Sequence, residues 1–167
     1  MKIWSKIVFI AYLLLLTWIV LFKIHPNIMD FIRLTNERSV NLIPYGASGG
    51  RREILLNVLI FLPFGILFKV VDKRSSNLTK GFVIFLVSCA FEILQYLLAI
   101  GATDITDVIN NTIGGLIGLL IYWLLTKIFD ENKLDNTITI AGFVGIFAFL
   151  AWQFPHFLHQ HRRLRMK

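Results

Sequence analysis

ILLNVLIFLPFGILFKVV, residues 54–71, is the stretch whose reading decides the fold. Apart from Asn57 and Lys69, every side chain in it is apolar, glycine or proline. Wound at 1.5 Å per residue it reaches roughly 27 Å, close to the hydrocarbon core of a bilayer at about 30 Å. A surface helix of a soluble protein would show a polar stripe along such a length, and this one has none. Working outward, comparable runs occupy 7–24, 81–100, 108–129 and 138–158. The chain is 56% hydrophobic with a mean hydropathy of +0.70, well beyond the usual soluble composition. The expected fold is therefore all-α: a polytopic membrane helix bundle of about five transmembrane helices. Residues 1–167 are expected to form one membrane domain, with almost nothing left for a separate soluble unit.

Composition narrows the function classes. Cys89 is the lone cysteine, which excludes an internal disulfide and a cysteine-rich metal site. The formal charge of +7 suits contact with anionic lipid headgroups, whereas no soluble basic surface remains for nucleic acid. Lys2 and Lys6 ahead of an apolar run raise the question of a signal peptide, but Thr17, Trp18, Ile19 and Val20 offer no small-x-small cleavage site, so an uncleaved first helix is expected. Orientation follows from Lys and Arg. With the N-terminus inside, eight of them (Lys2, Lys6, Lys69, Lys73, Arg74, Lys80, Lys127, Lys133) are inner and nine (Lys23, Arg33, Arg38, Arg51, Arg52, Arg162, Arg163, Arg165, Lys167) are outer. The basic second connection and a third without Lys or Arg favour N-in.

Three connections, 72–80, 101–107 and 130–137, are short, so neighbouring helices pair as antiparallel hairpins. The first, 25–53, is long and carries Pro26, Pro44, a turn at Gly46, Gly49 and Gly50, and several charges. Long polar loops on compact domains are commonly functional. Antiparallel order puts the end of helix 1, the start of helix 2, the end of helix 3 and the start of helix 4 on one side. Asn57, Glu92, Gln95, Asn110 and Asn111 all fall there, Glu92 and Gln95 roughly 12 and 8 Å below the surface at 1.5 Å per residue. Polar side chains inside a span are costly and mark function. Glu92 and Gln95, at i and i+3, share a helix face. The Glu92 carboxyl must be protonated, paired with Arg38, Arg51 or Arg52, or hydrogen-bonded structurally to Asn57 or Asn111.

Asp104 and Asp107 have the spacing of an N-cap and N3 pair. With Asn110 and Asn111 they give helix 4 a polar mouth. Gly114, Gly115 and Gly118 include a GxxxG spacing, read as packing, and Pro63 followed by Gly65 predicts a kink in helix 2. His156, His159 and His161 are read as part of an interfacial basic tail, and no metal site or cofactor is expected.

Four blocks, RSVNLIPY (38–45), LNVLIFLPFG (56–65), FEILQ (91–95) and DITDVINNTIGG (104–115), resemble the VanZ-like family of bacterial membrane proteins and follow the family's order over about residues 33–120. The last helix and tail, 138–167, lie outside the resemblance. The resemblance implies a place in the bacterial cell membrane and a link to tolerance of teicoplanin, a lipid-tailed glycopeptide. It also implies a site built from Arg38, Asn41, Asn57, Gln95, Asp104, Asp107, Asn111 and Glu92. Where many relatives carry an arginine before the acidic pair, this chain has Ala102 and Thr103, which leaves Arg38, Arg51 or Arg52 to hold any phosphate.

The expected activity is binding of an anionic amphiphile or lipid-linked envelope component by Arg38, Asn41, Asn57, Gln95, Asp104, Asn110 and Asn111, with a kinked helix 2 admitting its tail. Alternatives are an enzyme on a lipid-linked substrate with Glu92 or Asp107 as general acid or base, or a small proton-linked transporter using Glu92. Three acidic residues in one mouth also permit a divalent cation. The expected partners are a membrane lipid or lipid-linked envelope precursor and no nucleic acid, and the small chain is compatible with a homo-oligomer.

Overall fold

The computed structural model describes residues 2–22, 37–46 and 50–165. Five helices, α1 (Lys2–Phe22), α2 (Arg51–Val71), α3 (Asn77–Leu98), α4 (Ile105–Leu125) and α5 (Glu131–Arg165), are joined by two short strands, β1 (Glu37–Asn41) and β2 (Ile100–Asp104). Each helix is long and apolar enough to cross a membrane, α5 over Glu131–Phe154. Arg33, Ser48 and Gly49 of the long loop lie outside the described residues, as do the side chains of His156, His159 and His161.

Helices α3 and α4 start earlier than hydropathy predicts because polar caps, not the first apolar residue, set their ends. Ser76 Oγ accepts the Thr79 N–H at 3.0 Å and opens α3 four residues before the expected start at 81. Asp104 Oδ1 accepts the Thr106 N–H at 2.8 Å and opens α4, the N-cap role its spacing implies. At its far end α3 stops at Ala99, whose left-handed φ of 53° turns the chain into β2.

Apart from Ile100, both strands fall in segments expected to be loops. They pair in parallel, with Glu37 opposite Ile100 and Asn41 opposite Asp104. Parallel strands need a crossover that returns the chain to the same side. Here the antiparallel α2 and α3 supply it, and the long first loop is thereby bound to the α3–α4 connection.

The tightest crossing joins α2 to α4. A Cβ on Gly65 would overlap the Gly115 carbonyl, one on Gly114 the Val58 carbonyl, and one on Gly118 the Leu62 carbonyl. The glycines expected to serve packing do so, and the two backbones touch. Such contact replaces the hydrophobic drive that is missing between helices in lipid. Phe61 and Phe64 are fully buried beside this crossing. On the other side of α2, Phe9 of α1 stacks on Phe64 and Phe68 with centroids 5.7 and 5.8 Å apart. Helix α5 touches α1 through Ser5 and Thr139, 2.9 Å apart, but most of its apolar surface faces outward.

The end of the bundle away from the strands is held by charge. Lys73 reaches Glu131 at 2.9 Å, Asp135 at 2.8 Å and the Tyr122 hydroxyl. Fully buried Lys80 lies 3.3 Å from Asp72 and donates to the Ser75 carbonyl. Burial disfavours the Lys73 charge, but its hydrogen bonds to Asp135, Tyr122 and Glu131 outweigh that and push its pKa above the ordinary lysine range.

Candidate functional site

At the strand end the polar side chains of four elements converge. The paired strands bring Asn41 beside Asp104, and Asn41 Nδ2 donates to Asp104 Oδ2 at 3.1 Å while its Oδ1 accepts the Ile43 N–H. The turn after β1 docks on α4: the Tyr45 N–H donates to Thr106 Oγ1 at 3.1 Å, and its hydroxyl meets Asn110 Oδ1 at 3.4 Å. From α2, Asn57 Nδ2 donates to Asp107 Oδ1 at 2.7 Å. From α3, Glu92 Oε2 accepts the Asp104 N–H at 2.8 Å, and Thr103 Oγ1 donates to the Glu92 carbonyl at 3.0 Å. Gln95 Nε2 donates to the Val20 carbonyl at 3.1 Å, which draws in the end of α1. Asn111 Nδ2 lies 3.0 Å from Ser88 Oγ.

Part of this network walls a cavity of about 510 Å³. Among the described residues its polar lining is Glu53, Asn57, Glu92, Gln95, Asp104, Asp107 and Asn111, and its apolar lining includes Ile19, Val20, Leu56 and Ile60. Glu92, Gln95, Asp104 and Asn111 are each at least nine-tenths buried. Among the described residues three buried polar atoms have no hydrogen-bond partner: Gln95 Oε1, Asn111 Oδ1 and Asn110 Nδ2. Among the described residues no group of three His, Cys, Asp or Glu side chains is arranged to hold a metal ion.

A second cavity, of about 530 Å³, runs between α1, α2 and α5. Its walls are almost wholly apolar and include Leu15, Pro63, Leu67, Ile138, Gly145 and Phe149. Ile19 and Ile60 line both cavities, so polar chamber and apolar groove meet at these two side chains. Pro63 has no N–H to offer the Leu59 carbonyl one turn back. The Tyr12 hydroxyl donates to the neighbouring Ile60 carbonyl at 2.5 Å, a side-chain bond where the helix ladder is interrupted.

The sequence pattern of the VanZ/LLP1 family matches residues 9–126. The chain belongs to the VanZ/LLP1 family. It is 43% identical over 152 residues to Protein VanZ of Enterococcus faecium, an alignment that covers 91% of this chain and 94% of that protein. No solved structure matches it. All residues of the polar cavity fall inside the VanZ/LLP1 match, whereas the α5 wall of the apolar groove, from Ile138 to Phe149, falls outside it.

Within this VanZ/LLP1 fold the expected site residues divide. Glu92, Asp107, Asn57, Gln95, Asp104 and Asn111 border one chamber. Asn41 and Asn110 support it from behind, through Asp104 and Tyr45. Arg38 stands apart: its guanidinium lies 5.9 Å from the centre of the Tyr96 ring and 3.5 Å from the Leu97 carbonyl, at the end of α3. Neither Arg51 nor Arg52 lines the chamber. The Glu92 carboxylate is therefore not held by Arg38, Asn57 or Asn111, the partners expected of it. Its observed partner is a backbone N–H, and Asn57 and Asn111 are turned toward Asp107 and Ser88. Glu53 was missed. It stands four residues before Asn57 on the same face of α2, a spacing visible in the sequence once α2 is extended to Arg51.

Proposed function

We propose that this chain is a multi-pass protein of the bacterial cell membrane that binds an amphiphile, either a membrane lipid or a lipid-linked envelope precursor. Through that binding it raises tolerance to the lipid-tailed glycopeptide teicoplanin. The observation that carries the reading is the meeting of a polar chamber and an apolar groove at Ile19 and Ile60. An amphiphile needs that juxtaposition: a head among converging polar groups and a tail along apolar walls. Each volume falls within the ordinary size range of ligand sites, about 300–1,000 Å³. The link to teicoplanin rests on membership of the VanZ/LLP1 family and on the four blocks quoted above. Of the three arginines expected to hold an anionic head, none is among the described residues of the chamber wall.

Expression in a susceptible bacterium tests the reading. Tolerance should rise more toward a lipid-tailed glycopeptide than toward one without a tail. Gly145→Leu, which fills groove space with no atom within 4 Å of the added Cβ, should reduce that gain at equal membrane abundance. Equal protection against tailed and untailed drugs would overturn it. A second reading, acid–base chemistry on a lipid-linked substrate, is favoured by one observation: Glu92 and Asp107 border the same chamber. Turnover of such a substrate by purified protein, abolished in Asp107→Asn, would select it.

A further inference from the structure

The turn that follows β1 is apolar and turned outward. Residues 42–46, LIPYG, carry no charge and a single polar side-chain group, the Tyr45 hydroxyl. Leu42 is 71% exposed, Ile43 70% and Tyr45 53%. Turns that meet water are ordinarily polar, and large apolar side chains held outward together mark a surface that meets something else. The backbone donors are prepared for the same surroundings. Asn41 Oδ1 accepts the Ile43 N–H, Thr106 Oγ1 accepts the Tyr45 N–H and the Ile43 carbonyl accepts the Gly46 N–H, while Pro44 has none to satisfy. A donor already met inside the protein costs little to take out of water.

Docking on α4 sets the depth. Tyr45 bonds Thr106 through its N–H and Asn110 through its hydroxyl, so its side chain descends one turn, about 6 Å, along the start of the span Ile105–Leu125. Its left-handed φ of 57° is strained for a residue with a Cβ, and the two bonds to α4 hold it there. A tyrosine at the mouth of a span, with an apolar ring and a hydrogen-bonded tip, suits the edge of a bilayer.

We infer that Leu42, Ile43 and Tyr45 form an interfacial anchor, seated where headgroups meet acyl chains in the leaflet on the strand side. A deeper seat is excluded, since irregular backbone does not face lipid within the hydrocarbon region. The anchor is independent of the guest the chamber takes. It fixes β1 at the membrane surface and, through the bond from Asn41, the Asp104 cap of α4.

Full-length protein in a Cys89→Ala background would carry a nitroxide spin label at Leu42→Cys, Ile43→Cys or, as the watery reference on β1, Ser39→Cys. It is reconstituted into vesicles of phosphatidylethanolamine and phosphatidylglycerol, and collisions with dissolved oxygen, which concentrates in lipid, are compared with collisions with a water-soluble nickel chelate. The oxygen-to-nickel ratio should be severalfold higher at positions 42 and 43 than at 39, and Ile43→Asp should lower the ratio at 42 toward that at 39. All three label sites are exposed, and melting temperature in detergent checks the fold of each variant. A water-like ratio at 42 and 43 overturns the anchor. So does a ratio at 42 that Ile43→Asp leaves unchanged, because the apolar side chains would then not be what seats the turn. Spin–spin broadening that disappears on dilution with unlabelled protein would assign the turn to a second copy of the chain and overturn the lipid as its partner.

Discussion

Glu92 Oε2 lies 2.8 Å from the backbone nitrogen of Asp104, so a carboxylate deep in α3 holds the residue that caps α4. Charge and hydrogen bonding can be separated here. Glu92→Gln keeps a carbonyl oxygen able to accept the Asp104 N–H, whereas Glu92→Ala leaves that donor buried and unmet. Thermal unfolding in detergent should show Glu92→Ala destabilised by about 1–3 kcal/mol and Glu92→Gln close to wild type. An alanine variant as stable as wild type would remove the bond from any structural role.

The α2–α4 crossing predicts a contrast among glycines. Gly65→Ala forces a methyl into the Gly115 carbonyl and should cost about 1–3 kcal/mol or abolish accumulation in the membrane. Gly145→Ala meets open space and should leave stability unchanged. Comparable melting temperatures for the two variants would contradict the packing described.

Strand pairing predicts topology. Ser39 and Ala102 are register partners, so cysteines at these positions should label from the same side of the membrane, the outer one if the N-terminus is inside, and should cross-link to each other. Labelling only after permeabilisation would reverse the orientation. Labelling from opposite sides would break the sheet itself.

Lys73 predicts an alkaline signature. Its pKa is raised in the folded protein, so its contribution to stability is fully present below the ordinary lysine value of about 10.4 and is lost as pH rises through the higher folded value. Wild type should therefore lose melting temperature above that pH, and Lys73→Met, already weakened at neutral pH, should lose less over the same interval. Parallel curves would assign the alkaline loss to other groups.

In the tolerance assay, Asp107→Asn should reduce protection more than Arg38→Ala, because Asp107 borders the chamber and Arg38 lies on Tyr96 at the end of α3. The opposite ranking would return the anion-binding role to the arginine.

Hydropathy made all five spans legible, because crossing a bilayer demands long apolar runs whatever their partners. Antiparallel order alone brought Asn57, Glu92, Gln95, Asp104 and Asn111 to one end. Helix ends were less legible, since Ser76 and Asp104 set them through single hydrogen bonds that hydropathy does not register. The strands left no periodic trace: Glu37–Asn41 and Ile100–Asp104 are five residues each, polar or glycine-bearing, and exist only through each other. The partner of Glu92 was hidden for a related reason. A backbone N–H can belong to any residue, so no side-chain pattern announces it. Arg38 was placed in the site by the family resemblance and by its charge near the mouth; its contacts with Tyr96 and Leu97 were not legible, because a position on a strand does not reveal the direction of a long side chain.

The parallel strands also impose an order on biogenesis. β1 leaves the ribosome before α2, and its partner β2 only after α3, so the first strand must wait while a whole helical hairpin is inserted. The chamber waits longer, until Asp107 and Asn111 have been synthesised. A nascent chain arrested at the end of α3 therefore exposes Glu92 and Gln95 to lipid with neither Asp104 nor Asn111 yet present.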